Sequence, residues 1–274
     1  MLGCQQELTC RSVLKVILSQ AMHWDFVVIL IVLGGLVPWL GRRRVHQLML
    51  LPGTTKLDRL TLYASTIAFQ WAAVSVTLWR ATAHGIRPDQ LALSVPHPAL
   101  TVSLSIVLSG LFFANQVFSV KKLASRPAAL KGLLPQLALK VFPQDGVERL
   151  AFVALVSTVA LCEEVIYRGF IQYIFQDVTG GMVLLGILCS AIFFALAHFY
   201  QGKRGLLSTF VVGLLFAAVR SWTGSLIPPI SAHFVTDLTV GFLAPIRLRG
   251  SRPESSPMAS PVGPNDSGST GENK

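Results

Sequence analysis

The sequence predicts an all-α fold: a polytopic membrane helix bundle of about seven transmembrane helices. Three observations predict it. Hydrophobic residues make up 52% of the 274 residues and charged residues only 13%, against about 25% charged in a typical soluble domain. The mean hydropathy is +0.59. The apolar residues fall in runs of about 20, the length a helix needs to cross roughly 30 Å of hydrocarbon.

Residues 1–24 form a mixed N-terminal segment, in which Ser12–Trp24 has a modest amphipathic pattern. The first strong apolar stretch, Phe26–Leu40, ends in Gly41-Arg42-Arg43-Arg44. A cleavable signal peptide carries its charge before the apolar run and small residues after it. Here the order is reversed, so the stretch reads as a first membrane helix with its C-terminal end in the cytoplasm. The expected spans are about 25–41, 60–80, 100–120, 149–175, 181–199, 205–222 and 226–246. Residues 25–120 thus hold the N-terminal transmembrane helices. Residues 121–148 form a cytoplasmic loop, with Pro127, Pro135 and Pro143 and room for a short interfacial helix. Residues 149–246 are a second helical core. Residues 247–274 are a cytoplasmic tail, expected to be disordered because Ser, Pro, Gly and Asn dominate it and cannot bury a core.

The net charge of +10 follows from topology rather than from nucleic-acid binding. With seven spans and the N-terminus outside, seventeen Lys and Arg fall on the cytoplasmic side and five outside, with Arg168 left inside a helix. This predicts a multi-pass protein of the cell membrane with its C-terminus in the cytoplasm. Cys4, Cys10, Cys162 and Cys189 make neither a CxxC nor a zinc-finger spacing.

The chemistry lies in polar groups inside apolar helices, where a charge costs roughly 2.5–3.5 kcal/mol or more. Residues 161–168 read Leu-Cys-Glu-Glu-Val-Ile-Tyr-Arg. Glu164 and Arg168 are four apart and share a helix face, so they can pair. Glu163 points about 100° away and has no local partner, which leaves it free to act as a general base. His198 closes the run Ala191–His198, and His233 and Asp237 are again four apart. Each has a structural alternative: a Glu–Arg clamp, a hydrogen-bonded core histidine, a local His–Asp pair. The functional reading rests on three separate apolar helices each carrying such groups.

Glu163-Glu164-x-x-x-Arg168 followed by Gly169, then Phe194-x-x-x-His198, then His233-x-x-x-Asp237 resembles the three-motif pattern of the CPBP (Abi) family. These are intramembrane glutamate endopeptidases related to the CAAX prenyl proteases. The resemblance covers about residues 149–246. It implies that Glu163 and His198 activate water, that His233 and Asp237 stabilise the oxyanion, and that Glu164 and Arg168 shape the site. Asp237 departs from the family, where Asn is common. An ionised Asp cannot donate a hydrogen bond, so Asp237 either is protonated or orients His233. No cofactor is favoured. The rival is a catalytic zinc held by Glu163, His198 and His233, although the HExxH spacing is absent.

Straight helices would place Glu163, His198 and His233 at depths differing by roughly 10–20 Å. Convergence therefore requires bending, for which Gly169, Gly213 and Pro228-Pro229 are the expected places. The implied partner is a membrane-associated peptide or protein in the lipid bilayer, not nucleic acid. The alternative function is a non-enzymatic membrane protein, a transporter or immunity protein, using the same polar cluster. Against a transporter, no paired halves with matching helix breaks are visible.

Overall fold

The computed structural model describes residues 22–125 and 132–250. The N-terminal segment up to residue 21 and the expected disordered tail from residue 251 lie outside the described residues. The described residues form a helical bundle with no strand. One isolated antiparallel bridge joins Leu93 to Ser225.

Among the described residues, eight helices follow one another. Helix α1 spans Trp24–Leu50 and contains a π-helical turn at Val32–Leu36. Helix α2, Lys56–Ala83, starts on a capping box in which Thr55 and Asp58 satisfy each other's backbone N–H groups. Helix α3, Pro98–Ala124, has its proline at the first position, where no N–H is needed. A short helix α4, Leu133–Val141, fills the loop where the sequence leaves room for one. Helix α5, Gly146–Val178, is capped by the Asp145 side chain, which accepts from the Glu148 N–H at 2.9 Å. A second π-helical turn interrupts it at Val165–Ile171. Helix α6, Val183–Ala197, ends in the 3₁₀ turn Phe199–Gln201. Helix α7, Gly202–Thr223, stops at Gly224, whose φ of +64° favours glycine. Helix α8 is Ile227–Gly250.

Five of these, α1, α3, α5, α7 with its preceding turn, and α8, are long and apolar enough to cross a membrane. The other two expected spans differ in kind. Helix α2 has 28 residues but carries Lys56, Asp58, Arg59, Gln70 and Arg80, and part of its polarity is turned inward against α5. Helix α6 is apolar but only 15 residues long, a rise of about 22 Å. Large apolar side chains such as Ile106, Leu111, Leu184 and Leu207 remain exposed on the outer faces, as suits a bundle whose solvent is lipid.

Polar ties register the helices at both ends. At the end bearing Arg42–Arg44, buried Arg59 grips buried Glu148 with a two-pronged pair, Nε to Oε2 at 3.0 Å and Nη2 to Oε1 at 2.7 Å. Lys140 of α4 donates to the carbonyls of Leu48, Met49 and Leu51 at the end of α1. At the opposite end, Asp25 accepts from Arg80 at 2.7 Å and bonds His84 at 2.9 Å. There the α2–α3 loop folds into the bundle. Ile86, Leu91 and Ala92 are buried, Arg220 donates to the Gln90 carbonyl at 2.7 Å, and the Leu226 N–H donates to the Ala92 carbonyl at 3.0 Å. Arg59, Lys140 and Arg220, which the sequence presents as loop charges, are thus structural ties as well.

The bends fall elsewhere than Gly213 and Pro228-Pro229. Gly213 lies in unbroken α7. A Cβ there would sit 3.1 Å from the Ala191 Cα, so its role is close approach to α6. Pro228 and Pro229 occupy the first turn of α8, where a missing N–H breaks nothing. Only Gly169 is at a deviation, inside the π turn of α5.

Candidate active site

The second π turn starts directly after Glu163-Glu164. A π turn inserts one residue into the helical ladder and commonly occurs at functional sites. It keeps Arg168 on the face of Glu164. Arg168 Nη1 donates to Glu164 Oε1 at 2.8 Å, and both side chains are fully buried. The guanidinium lies 3.9 Å from the Phe194 ring centroid and 5.3 Å from that of Phe216. Its Nε and Nη2 have no hydrogen-bond partner. Stacking on two aromatic faces supplies the contact those atoms otherwise lack.

His233 joins this cluster. Its Nδ1 is 2.9 Å from Glu164 Oε1, and its Nε2 is 3.6 Å from Asp237 Oδ2. The second distance exceeds an ordinary hydrogen bond. Glu164 is therefore the closer orienting partner of His233, and Asp237, about one-third exposed, is the looser one. An ionised Glu164 accepts from both Arg168 and His233, so Nδ1 carries a proton and Nε2 points to the Asp237 side.

Glu163 and His198 meet in a separate cavity of about 110 Å³, which Gln70, Tyr167 and Tyr200 also line. Leu33 and Val37 of α1, Phe69 and Ala73 of α2, Ile166 of α5 and Ala197 of α6 form its apolar walls. Glu163 Oε1 accepts from Gln70 Nε2 at 2.8 Å, while Oε2 has no partner. His198 Nδ1 is 2.9 Å from the Phe194 carbonyl. That contact makes Nδ1 the donor and leaves Nε2 an acceptor. Helix α6 ends at Ala197, and the turn after it places His198 and Tyr200 on the cavity that Glu163 also lines. The π turn of α1 contributes Leu33 to the same cavity.

The sequence-derived residues thus fall into two adjoining groups. Glu163 and His198 share the cavity; Glu164, Arg168, His233 and Asp237 form the cluster beside it. Phe194 stands between them, its ring centroid 4.7 Å from that of His198 and 5.9 Å from that of His233. Among the described residues, no three His, Cys, Asp or Glu side chains are grouped as a metal-binding set. Gln70, Tyr167 and Tyr200 were not singled out by the sequence. Tyr167 sits within the first motif and Tyr200 two residues after His198, so proximity to the motifs was the available signal; Gln70 had none.

Residues 146–239 match the family model described as Type II CAAX prenyl endopeptidase Rce1-like. A stretch of 100 residues, 36% of this chain, is 28% identical to the "Uncharacterized protein YpbD" of Bacillus subtilis (strain 168) and covers 47% of that protein. The chain therefore spans about half the length of that relative. No solved structure matches. The matched family is one of peptide-bond hydrolases whose members work in membranes, and the match begins at the start of α5 and ends just past Asp237. Residues 146–239 of this multi-pass membrane bundle, which hold all three motifs, carry the pattern of the Rce1-like CAAX prenyl endopeptidase family.

Proposed function

We propose that this chain is an intramembrane endopeptidase that cleaves a peptide bond of a membrane-associated peptide or protein, with water activated by Glu163 and His198. One observation carries the reading. Two residues from different helices line one cavity, and each keeps one basic atom without a protein partner among the described residues: Glu163 Oε2 and His198 Nε2. A cavity of about 110 Å³ has room for a few waters, at about 30 Å³ of liquid volume each.

In the proposed reaction a water held between these atoms attacks the scissile carbonyl carbon, and its proton passes to Glu163. The carbonyl oxygen becomes an oxyanion. With Nδ1–H committed to Glu164, His233 donates to that oxyanion from Nε2 as the imidazolium, and Asp237 lies on the same side. The C–N bond then breaks, and the Glu163 proton goes to the leaving nitrogen. Arg168 and Glu164 keep His233 in place. The resting cavity is too small for a peptide, so its walls must part to admit the substrate. The end bearing Arg42–Arg44 faces the cytoplasm in this reading, with the C-terminus on the same side.

The test uses full-length protein in lipid nanodiscs with a farnesylated CAAX-type peptide in water enriched in oxygen-18. Mass spectrometry should find the released C-terminal fragment and one heavy oxygen in the new carboxylate. An intact peptide, or a product without the label, contradicts hydrolysis by water at this site. Activity unchanged by a strong zinc chelator supports the metal-free mechanism. Loss on chelation with recovery on added zinc would instead assign Glu163, His198 and His233 to the metal.

A further inference from the structure

The geometry points to Gln70 as a positioning residue for the candidate base: its carboxamide holds one oxygen of Glu163 and so fixes the orientation of the carboxylate at the cavity. This deepens the endopeptidase reading and rests on it. Gln70 lies on α2, outside the 146–239 stretch that matches the family. Its Nε2 donates to Glu163 Oε1 at 2.8 Å across 93 residues of sequence. Gln70 is largely buried, 9% exposed, and lines the same cavity as Glu163 and His198.

The contact is built rather than incidental. Three pairs register α2 against α5: the Arg59–Glu148 fork, the Tyr63 ring at 5.7 Å from that of Phe152, and the Gln70–Glu163 bond at the cavity. The first two fix how far Gln70 reaches. Inside an apolar bundle, a carboxylate without its own cation needs a donor to hold its orientation. Glu164 takes Arg168 and His233. Glu163 takes Gln70, its one hydrogen-bond partner among the described residues. The amide N–H fixes Oε1 and leaves Oε2 without a hydrogen-bond partner among the described residues. Proper placement of a base is worth orders of magnitude in rate, so the loss should appear in kcat, with substrate binding little changed.

Three variants and two readouts test this. Gln70→Met keeps the volume and removes the donor. Gln70→His places a ring N–H at a similar reach. In the nanodisc peptide assay, Gln70→Met should lower kcat at least about tenfold and change KM less than about twofold, whereas Gln70→His should restore most of kcat. A raised KM with unchanged kcat, or Gln70→His no better than Gln70→Met, would overturn the assignment. The second readout needs no turnover. Infrared difference spectra of wild type against Glu163→Gln isolate the Glu163 carboxyl bands. Those bands should change position in Gln70→Met and stay near wild type in Gln70→His. Unmoved bands in Gln70→Met mean that Gln70 does not hold Glu163, even if no peptide is cleaved. Bands that move in Gln70→Met, together with a wild type that cleaves nothing, would leave the contact standing and refute the endopeptidase reading alone.

Discussion

Arg168→Ala removes the guanidinium that pairs with Glu164. Both side chains are fully buried, the bond is 2.8 Å long, and the guanidinium also packs on Phe194 and Phe216. Removing one partner of a buried pair costs about 3–5 kcal/mol. Glu164 keeps His233 at 2.9 Å, which moves the electrostatic part towards the lower end. The void left between two aromatic rings adds a packing loss in the other direction. Together these suggest a loss of about 3–5 kcal/mol, or roughly 6–20 °C in Tm for a chain of this size. Arg168→Lys keeps the charge but loses the planar stack on Phe194, so it should fall between Ala and wild type. The double change Glu164→Gln with Arg168→Met removes both charges and should recover part of the loss. Thermal unfolding in one detergent, followed by intrinsic fluorescence, reads all four proteins. A Tm for Arg168→Ala within about 2 °C of wild type, under 1 kcal/mol on the same scale, would refute a buried Glu164–Arg168 pair.

Other outcomes follow from the same geometry. Asp237→Asn should keep activity within about tenfold of wild type, while Glu164→Gln should cost more in kcat/KM, because Glu164 at 2.9 Å holds His233 more closely than Asp237 at 3.6 Å; the reverse order would restore Asp237 as the orienting group. Gly213→Leu should lower stability by about 1–3 kcal/mol through overpacking on Ala191, read as a lower denaturation midpoint; no change would mean that α6 and α7 are not in close contact. Ala73→Leu, projecting into the 110 Å³ cavity, should suppress turnover with little change in Tm; full activity would place the reaction elsewhere.

The motifs were legible because they are local. Glu164–Arg168 and His233–Asp237 are set by helical spacing alone, and both pairs are present. The interior of the site was not legible, because its contacts cross long stretches of chain. Glu163–Gln70 spans 93 residues and Arg59–Glu148 spans 89, and no periodicity announces either. His233 shows a limit of local reasoning: its i+4 neighbour Asp237 is the farther carboxylate, and Glu164, 69 residues away, is the nearer. The apolar run around 181–199 looks like a full span, but its helix is only Val183–Ala197, and the turn after it carries His198 and Tyr200 to the cavity. The π turns depend on packing between helices, and apolar residues such as Val32–Leu36 give no sign of them. The α2–α3 loop lies between two expected spans, and its Ile86, Leu91 and Ala92 are buried in the bundle.

The central claim is that the Glu163 carboxylate activates the water. The most direct measurement is kcat/KM for the labelled farnesylated peptide with wild type and Glu163→Gln, each checked for matched Tm and membrane insertion. General acid–base catalysis contributes about 10²–10⁴-fold, so Glu163→Gln should lose at least about a hundredfold with its fold intact. A variant that keeps more than about a tenth of the wild-type value, a loss below about 1.4 kcal/mol, would show that Glu163 is not the base.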